Sequence, residues 1–145
     1  MPIEVVVDSS VIAALVTPEK YSEWASKKIS EPDYFHILDL NYYEVANAVR
    51  HKTSDKFASK DAVDALTIAV ELMNLYTVHN FSEIIIDAIT VALELNITVY
   101  DAAFLSLADK LGMRLLTLDM KLAKKLECTK YDNLIECPNK KASHS

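Results

Sequence analysis

TVYDAAFLSLADKLGMRLLTLDMKL, residues 98–122, sets two aspartates at the same kind of junction. Ile97-Thr98-Val99-Tyr100 is a short β-prone run, and Asp101 after it opens an apolar helix to about residue 111. Arg114-Leu115-Leu116-Thr117-Leu118 is a second such run, and Asp119 opens a helix to about residue 126. Strand, helix, strand and helix with short joints is the pattern of a mainly parallel sheet. Asp is a favoured helix N-cap, so each aspartate has an ordinary explanation by itself.

The same rhythm extends outward. Ile3-Glu4-Val5-Val6-Val7 reads as a buried strand, because β-branched residues suit the pleat. Asp8-Ser9-Ser10 is a helix-start signal before a helix over Val11 to Val16. Thr17-Pro18-Glu19 predicts a second helix to about Ile29, with Pro at its first position. A strand follows over Tyr34 to Leu40. Asn41-Tyr42-Tyr43-Glu44 has capping-box spacing and predicts a helix through Lys52. Residues 53–58 form a polar loop. Helices are expected at 60–75 and 82–95, with a short strand inside 76–81, and a last strand falls around Asn133-Leu134-Ile135. Residues 1–138 make one domain, and 139–145 read as a disordered tail.

Composition narrows the chemistry. The chain has 145 residues, 51% of them hydrophobic and 25% charged, as expected of one globular domain. No apolar run approaches the ~20 residues that span a bilayer, and no basic-then-apolar leader opens the chain, so a cytoplasmic protein is expected. The single glycine, Gly112, excludes the Gly-rich loops that cradle phosphate with backbone amides. Cys128 and Cys137 lack the partners of a zinc site. They are free thiols in an ordinary cytosol, or a disulfide in some thermophiles. A net charge of −6 argues against a general nucleic-acid coat. It leaves room for an acidic, metal-carrying site with a basic rim.

In a parallel sheet every strand-to-helix turn lies at the carboxyl edge, where ligands of open α/β sheets bind. Asp8, Glu44, Asp101 and Asp119 all sit at such turns. Four anions in one cleft repel and raise one another's pKa values unless a cation neutralises them. An all-oxygen cluster suits Mg²⁺ or Mn²⁺. No Ser-His-Asp elbow or Cys-His pair offers another nucleophile, and His36, His51, His79 and His144 are scattered. Acids alone point to activated water and phosphodiester hydrolysis.

Four motifs carry a family resemblance: Val7-Asp8-Ser9-Ser10-Val11-Ile12-Ala13-Ala14-Leu15, Glu44-Val45-Ala46-Asn47-Ala48-Val49, Tyr100-Asp101-Ala102-Ala103-Phe104-Leu105-Ser106-Leu107-Ala108 and Leu116-Thr117-Leu118-Asp119-Met120-Lys121-Leu122. In order and spacing they resemble PIN domains, and among these the VapC-like toxin ribonucleases of toxin–antitoxin pairs. The resemblance spans about residues 3–135. It implies a three-layer α/β/α domain with a central, mainly parallel sheet, acting as a Mg²⁺- or Mn²⁺-dependent endoribonuclease. Asp8, Glu44, Asp101 and Asp119 match the family's acidic quartet, and Ser9 or Ser10 and Thr117 match its small hydroxyl positions.

Asp8 and Asp101 are then the principal metal ligands, at the ends of adjacent strands. Glu44 reaches the same ion or serves as general base, and Asp119 completes the shell or holds a second ion. Ser9, Thr117 and Asn47 orient the carboxylates or touch substrate. Arg50, His51 and Lys52, with Lys56 and Lys60, form one candidate rim for RNA phosphates; Lys121, with Lys124 and Lys125, forms another. The resemblance also implies a homodimer and a small antitoxin partner, for which Tyr21 and Trp24 are candidate anchors. The competing reading is a catalytically silent PIN-like module for binding RNA or protein, whose mark would be a missing acid.

Overall fold

Val5, Val6 and Val7 show how the sheet is covered. Val5 and Val7 join one buried cluster and Val6 the other, the period-two alternation of a strand. Ile37 and Leu38 divide the same way, as do Leu116 and Leu115. Strands buried on both faces read as continuous apolar runs.

The computed structural model describes residues 1–140. Its elements are β1 (Glu4–Val7), α1 (Ser9–Val16), α2 (Ser22–Ile29), β2 (Tyr34–Leu38), α3 (Leu40–His51), α4 (Ser59–Asn74), β3 (Thr77–His79), α5 (Phe81–Leu95), α6 (Val99–Leu111), β4 (Arg114–Leu116), α7 (Met120–Lys125) and β5 (Ile135–Glu136), with a short 3-10 turn (Asp132–Leu134) before β5. All neighbouring strands are parallel, in the order β3-β2-β1-β4-β5.

Helices α1 to α4 cover one face, through Ile12, Ala25, Val45, Val49, Ala69 and Met73. Helices α5 to α7 cover the other, through Ile84, Ala88, the run Ala102–Ala108 and Leu122. The fold is a three-layer α/β/α sandwich. Ile12 and Ile37 on one side and Leu105 and Leu115 on the other are fully buried, each contributing roughly 1.5–3 kcal/mol.

Several expectations need correction. No strand forms at 97–100. Asn96 ends α5 in the left-handed region (φ 54°, ψ 52°), and the hydroxyl of Thr98 accepts the Asp101 amide at 3.1 Å to cap α6. A cap next to a helix reversal outweighs the weak β preference of four residues. Asp101 therefore lies in the first turn of α6 rather than at a strand end. Asn41 is no N-cap either: Asp39 caps α3, accepting from the Leu40 amide at 3.0 Å. Fully buried Asn41 instead accepts from the Leu38 amide and donates to the Val7 carbonyl, stitching β2 to β1 at the carboxyl edge.

Thr17 to Tyr21 form a turn rather than the start of α2. Ser22 Oγ donates to the Thr17 carbonyl and accepts from the Glu19 amide. Of the expected tail, residues 141–145 lie outside the described residues, whereas Lys140 pairs with Asp132 at 3.2 Å. Cys128 and Cys137 are free thiols. Among the described residues no helix is long and apolar enough to cross a membrane.

Candidate active site

Asp8 follows β1 directly, and its amide continues the pairing with β4 by donating to the Leu116 carbonyl at 2.9 Å. Its carboxylate caps α1, accepting from the Ser9 amide at 2.8 Å. The other carboxylate oxygen accepts two hydroxyls at 2.7 Å each, from Ser10 and from Thr117 across the strand. Both hydroxyls are themselves held: Ser10 Oγ accepts the Leu118 amide and Thr117 Oγ1 the Asp119 amide, each at 3.0 Å. Asp119 caps α7 by accepting from the Leu122 amide at 2.9 Å. Asp8 and Asp119 are thus bound into one frame by the strands' ends.

Glu44 projects from the second turn of α3, where Ser9 Oγ donates to it at 3.0 Å. Burial pushes its carboxyl up to about 7, helped by the charges of Asp8 and Asp101. Burial also raises Asp101, with added repulsion from Asp119 and Asp8. Asp8 is raised by burial against the pull of its three donors, and Asp119 adds to the rise. The mutual repulsion ties all four acids into one electrostatic cluster. Asp8 and Asp119 are caps as well; the two roles coexist.

Among the described residues no three His, Cys, Asp or Glu side chains are drawn in to ligating distance. A hard hydrated cation asks for less, since Mg²⁺ keeps several waters and binds through one or two carboxylates. The donor set here is oxygen only, partly desolvated and self-repelling, which fits such an ion.

The remaining predicted residues divide. Ser9 and Thr117 bond directly to the acids. Asn47, Arg50 and His51 are exposed on α3, and Lys52 is already paired with Glu19 at 3.4 Å. Lys121 and Lys125 line a cavity of about 440 Å³ with Asp101 and Asp119, whereas Lys124 lines a separate one with Glu127 and Cys137. Trp24 and Tyr21 are half-buried rather than exposed: Trp24 packs on the α1–α4 core, and Tyr21 reaches Met120.

Sequence reasoning missed Asp39 and the Thr98 cap and took buried Asn41 for a helix cap, although Asp39 before an apolar helix is itself a start signal. It also left His36 and His79 apart. They meet at 2.9 Å, with Glu4 on the second nitrogen of His36 at 3.0 Å, on the sheet and outside the acid cluster.

Comparison with known proteins places the chain's family and fold. The profile of the PIN domain matches residues 5–126. Ribonuclease VapC3 of Pyrobaculum aerophilum is 42% identical over 123 residues, covering 84% of this chain and 94% of that protein. A crystal structure of a protein from the same organism is 28% identical, with a TM-score of 0.63 over 90% of this chain and 87% of the other. A toxin–antitoxin complex from Klebsiella pneumoniae shares the fold at 14% identity, with a TM-score of 0.66 over 94% and 99% of the two chains. The acidic cluster thus sits on a fold and a sequence of one lineage, and the chain belongs to the PIN-domain family.

Proposed function

We propose that the protein is a divalent-metal-dependent endoribonuclease, the toxin of a toxin–antitoxin pair, acting in the cytoplasm. The observation that carries the reading is the cluster of four carboxylates at the carboxyl edge, three of them raised by burial and by one another. The similarity to a VapC ribonuclease supports RNA as the substrate, and the shared fold of a toxin–antitoxin complex supports a small antitoxin as the partner.

Asp8 and Asp101, with Asp119, would hold Mg²⁺ or Mn²⁺. The ion would lower the pKa of water and offset charge developing on the phosphate. Thr117 and Ser10 fix the Asp8 carboxylate so that its orientation is set before the ion arrives. Glu44, poised at about 7, takes the proton from the attacking water near neutral pH, with Ser9 Oγ holding its orientation.

The chain acts as a homodimer in this reading, because α5 leaves Ile86 and Leu93 each 76% exposed. The chemistry is tested by incubating the protein with RNA in Mg²⁺ or Mn²⁺ and in chelator. Cleavage confined to the metal-containing samples is expected; cleavage that survives chelation excludes the metal role.

A further inference from the structure

The acid cluster opens on one side into the cavity between the start of α6 and α7, lined by Asn96, Ile97, Thr98, Lys121, Leu122 and Lys125 together with Asp101 and Asp119. We propose that this cavity seats one nucleotide of an unpaired RNA strand beside the scissile phosphate, with Lys125 and Lys121 gripping that nucleotide's backbone phosphate. The inference rests on the ribonuclease reading and adds the side of the site on which the strand lies.

Four observations converge. Asp101 and Asp119 belong to both the cluster and the cavity wall, so whatever fills the cavity abuts the reacting atoms. At about 440 Å³ the cavity lies within the ~300–1,000 Å³ range of small-molecule sites, room for one splayed nucleotide. Its wall is mixed, with half-buried Ile97 to meet sugar or base and exposed Asn96 and Thr98 to meet polar edges.

The fourth observation is the disposition of charge. Lys121 and Lys125 are four apart on α7 and share a face. Among the described residues neither makes an ion pair, a state Lys124 shares, so what sets the two apart is their place in the cavity wall beside Asp101 and Asp119. The charge of Lys125 reaches Asp101. An ammonium group left free beside an acid cluster can neutralise phosphate without first breaking a bridge. Lys124, one residue away, lines a different cavity and supplies an internal control.

The test compares Lys125→Gln, Lys121→Gln and Lys124→Gln in the full chain, on a labelled single-stranded RNA with Mn²⁺ across a range of KCl. Lys125→Gln should raise KM about tenfold with kcat within a few-fold, and should flatten the slope of log(1/KM) against log[salt] by ~0.7, the loss of one phosphate contact. Lys121→Gln should act in the same direction, Lys125→Arg should restore KM, and Lys124→Gln should change neither quantity. Equal effects of Lys124→Gln and Lys125→Gln would overturn the subsite while leaving the nuclease intact. Equal competition by a fully paired duplex of the same sequence would also overturn it. Absence of metal-dependent cleavage in the unaltered protein would instead remove the ribonuclease reading beneath it.

Discussion

Asp8 receives three hydrogen bonds, and two of them come from hydroxyls that can turn. In Asp8→Asn the new amide would face Ser10 and Thr117, whose oxygens have lone pairs to accept it. The cap survives, since Asn caps about as well as Asp, and a buried charge next to other anions is removed. The melting temperature without metal should therefore hold or rise, the rise caused by added Mn²⁺ should vanish, and cleavage should fall roughly a hundredfold or more. An unchanged metal response would return Asp8 to the role of a cap. Glu44 supplies a pH signature. Its folded pKa, about 7, lies above the ordinary 4.5, so the folded state binds the extra proton between those values. Stability from this group is present below about 4.5 and is lost as pH rises through about 7. Metal binding runs the other way, because the ligand must be ionised. Metal-free melting temperature should fall between pH 5 and 8, Glu44→Gln should flatten that fall, and saturating Mn²⁺ should reverse it; a Glu44→Gln profile parallel to the unaltered protein would refute the assignment.

Helix α6 shows what a single sequence does and does not disclose. All but its first two residues were legible, because an apolar run ending at Gly112 (φ +66°) is a plain helix with a plain stop. Its start was not. Ile97-Thr98-Val99-Tyr100 has β-prone side chains, and only the reversal from α5, with Asn96 in the left-handed region, makes Thr98 a cap. The acids were legible for a different reason: strand-to-helix order alone puts Asp8, Glu44 and Asp119 on one edge. Asp101 reached that edge by another route, from the first turn of a helix that leads into β4. The hydroxyl frame of Ser10 and Thr117, and the Asn41 stitch between β1 and β2, depend on contacts 108, 109 and 34 residues apart, which no local pattern encodes. The cap can be weighed directly. Thr98→Ala should cost ~1 kcal/mol and, by loosening the turn that carries Asp101, should weaken Mn²⁺ stabilisation. Thr98→Ser should restore both in chemical denaturation with and without Mn²⁺, and a full metal response in Thr98→Ala would separate the cap from the site.

On the scale of the whole molecule, both helical layers leave apolar side chains outward, Tyr43, Val63 and Ile68 on one and the fullest set along α5 on the other. Helix α5 buries Ile84, Ala88, Val91 and Ala92 against the sheet side yet leaves Ile85, Ile86, Ile89 and Leu93 outward. An apolar stripe on a chain of net charge −6 cannot be explained by a need for solubility. In the proposed homodimer a second copy of the chain would cover it, two-fold pairing being the commonest way to close such a face. Burying an Ile or Leu side chain is worth roughly 1.5–3 kcal/mol, and each 1.4 kcal/mol is a factor of ten in dissociation. Ile86→Glu with Leu93→Glu should therefore weaken self-association by at least a hundredfold, leaving monomer at micromolar concentration in sedimentation velocity. None of these side chains takes part in the hydrogen-bond frame around Asp8, so the variant should keep its melting response to Mn²⁺. Sedimentation of the unaltered protein as monomer across the micromolar range would leave the stripe without this partner, and a double variant that stays dimeric would place the interface on another face.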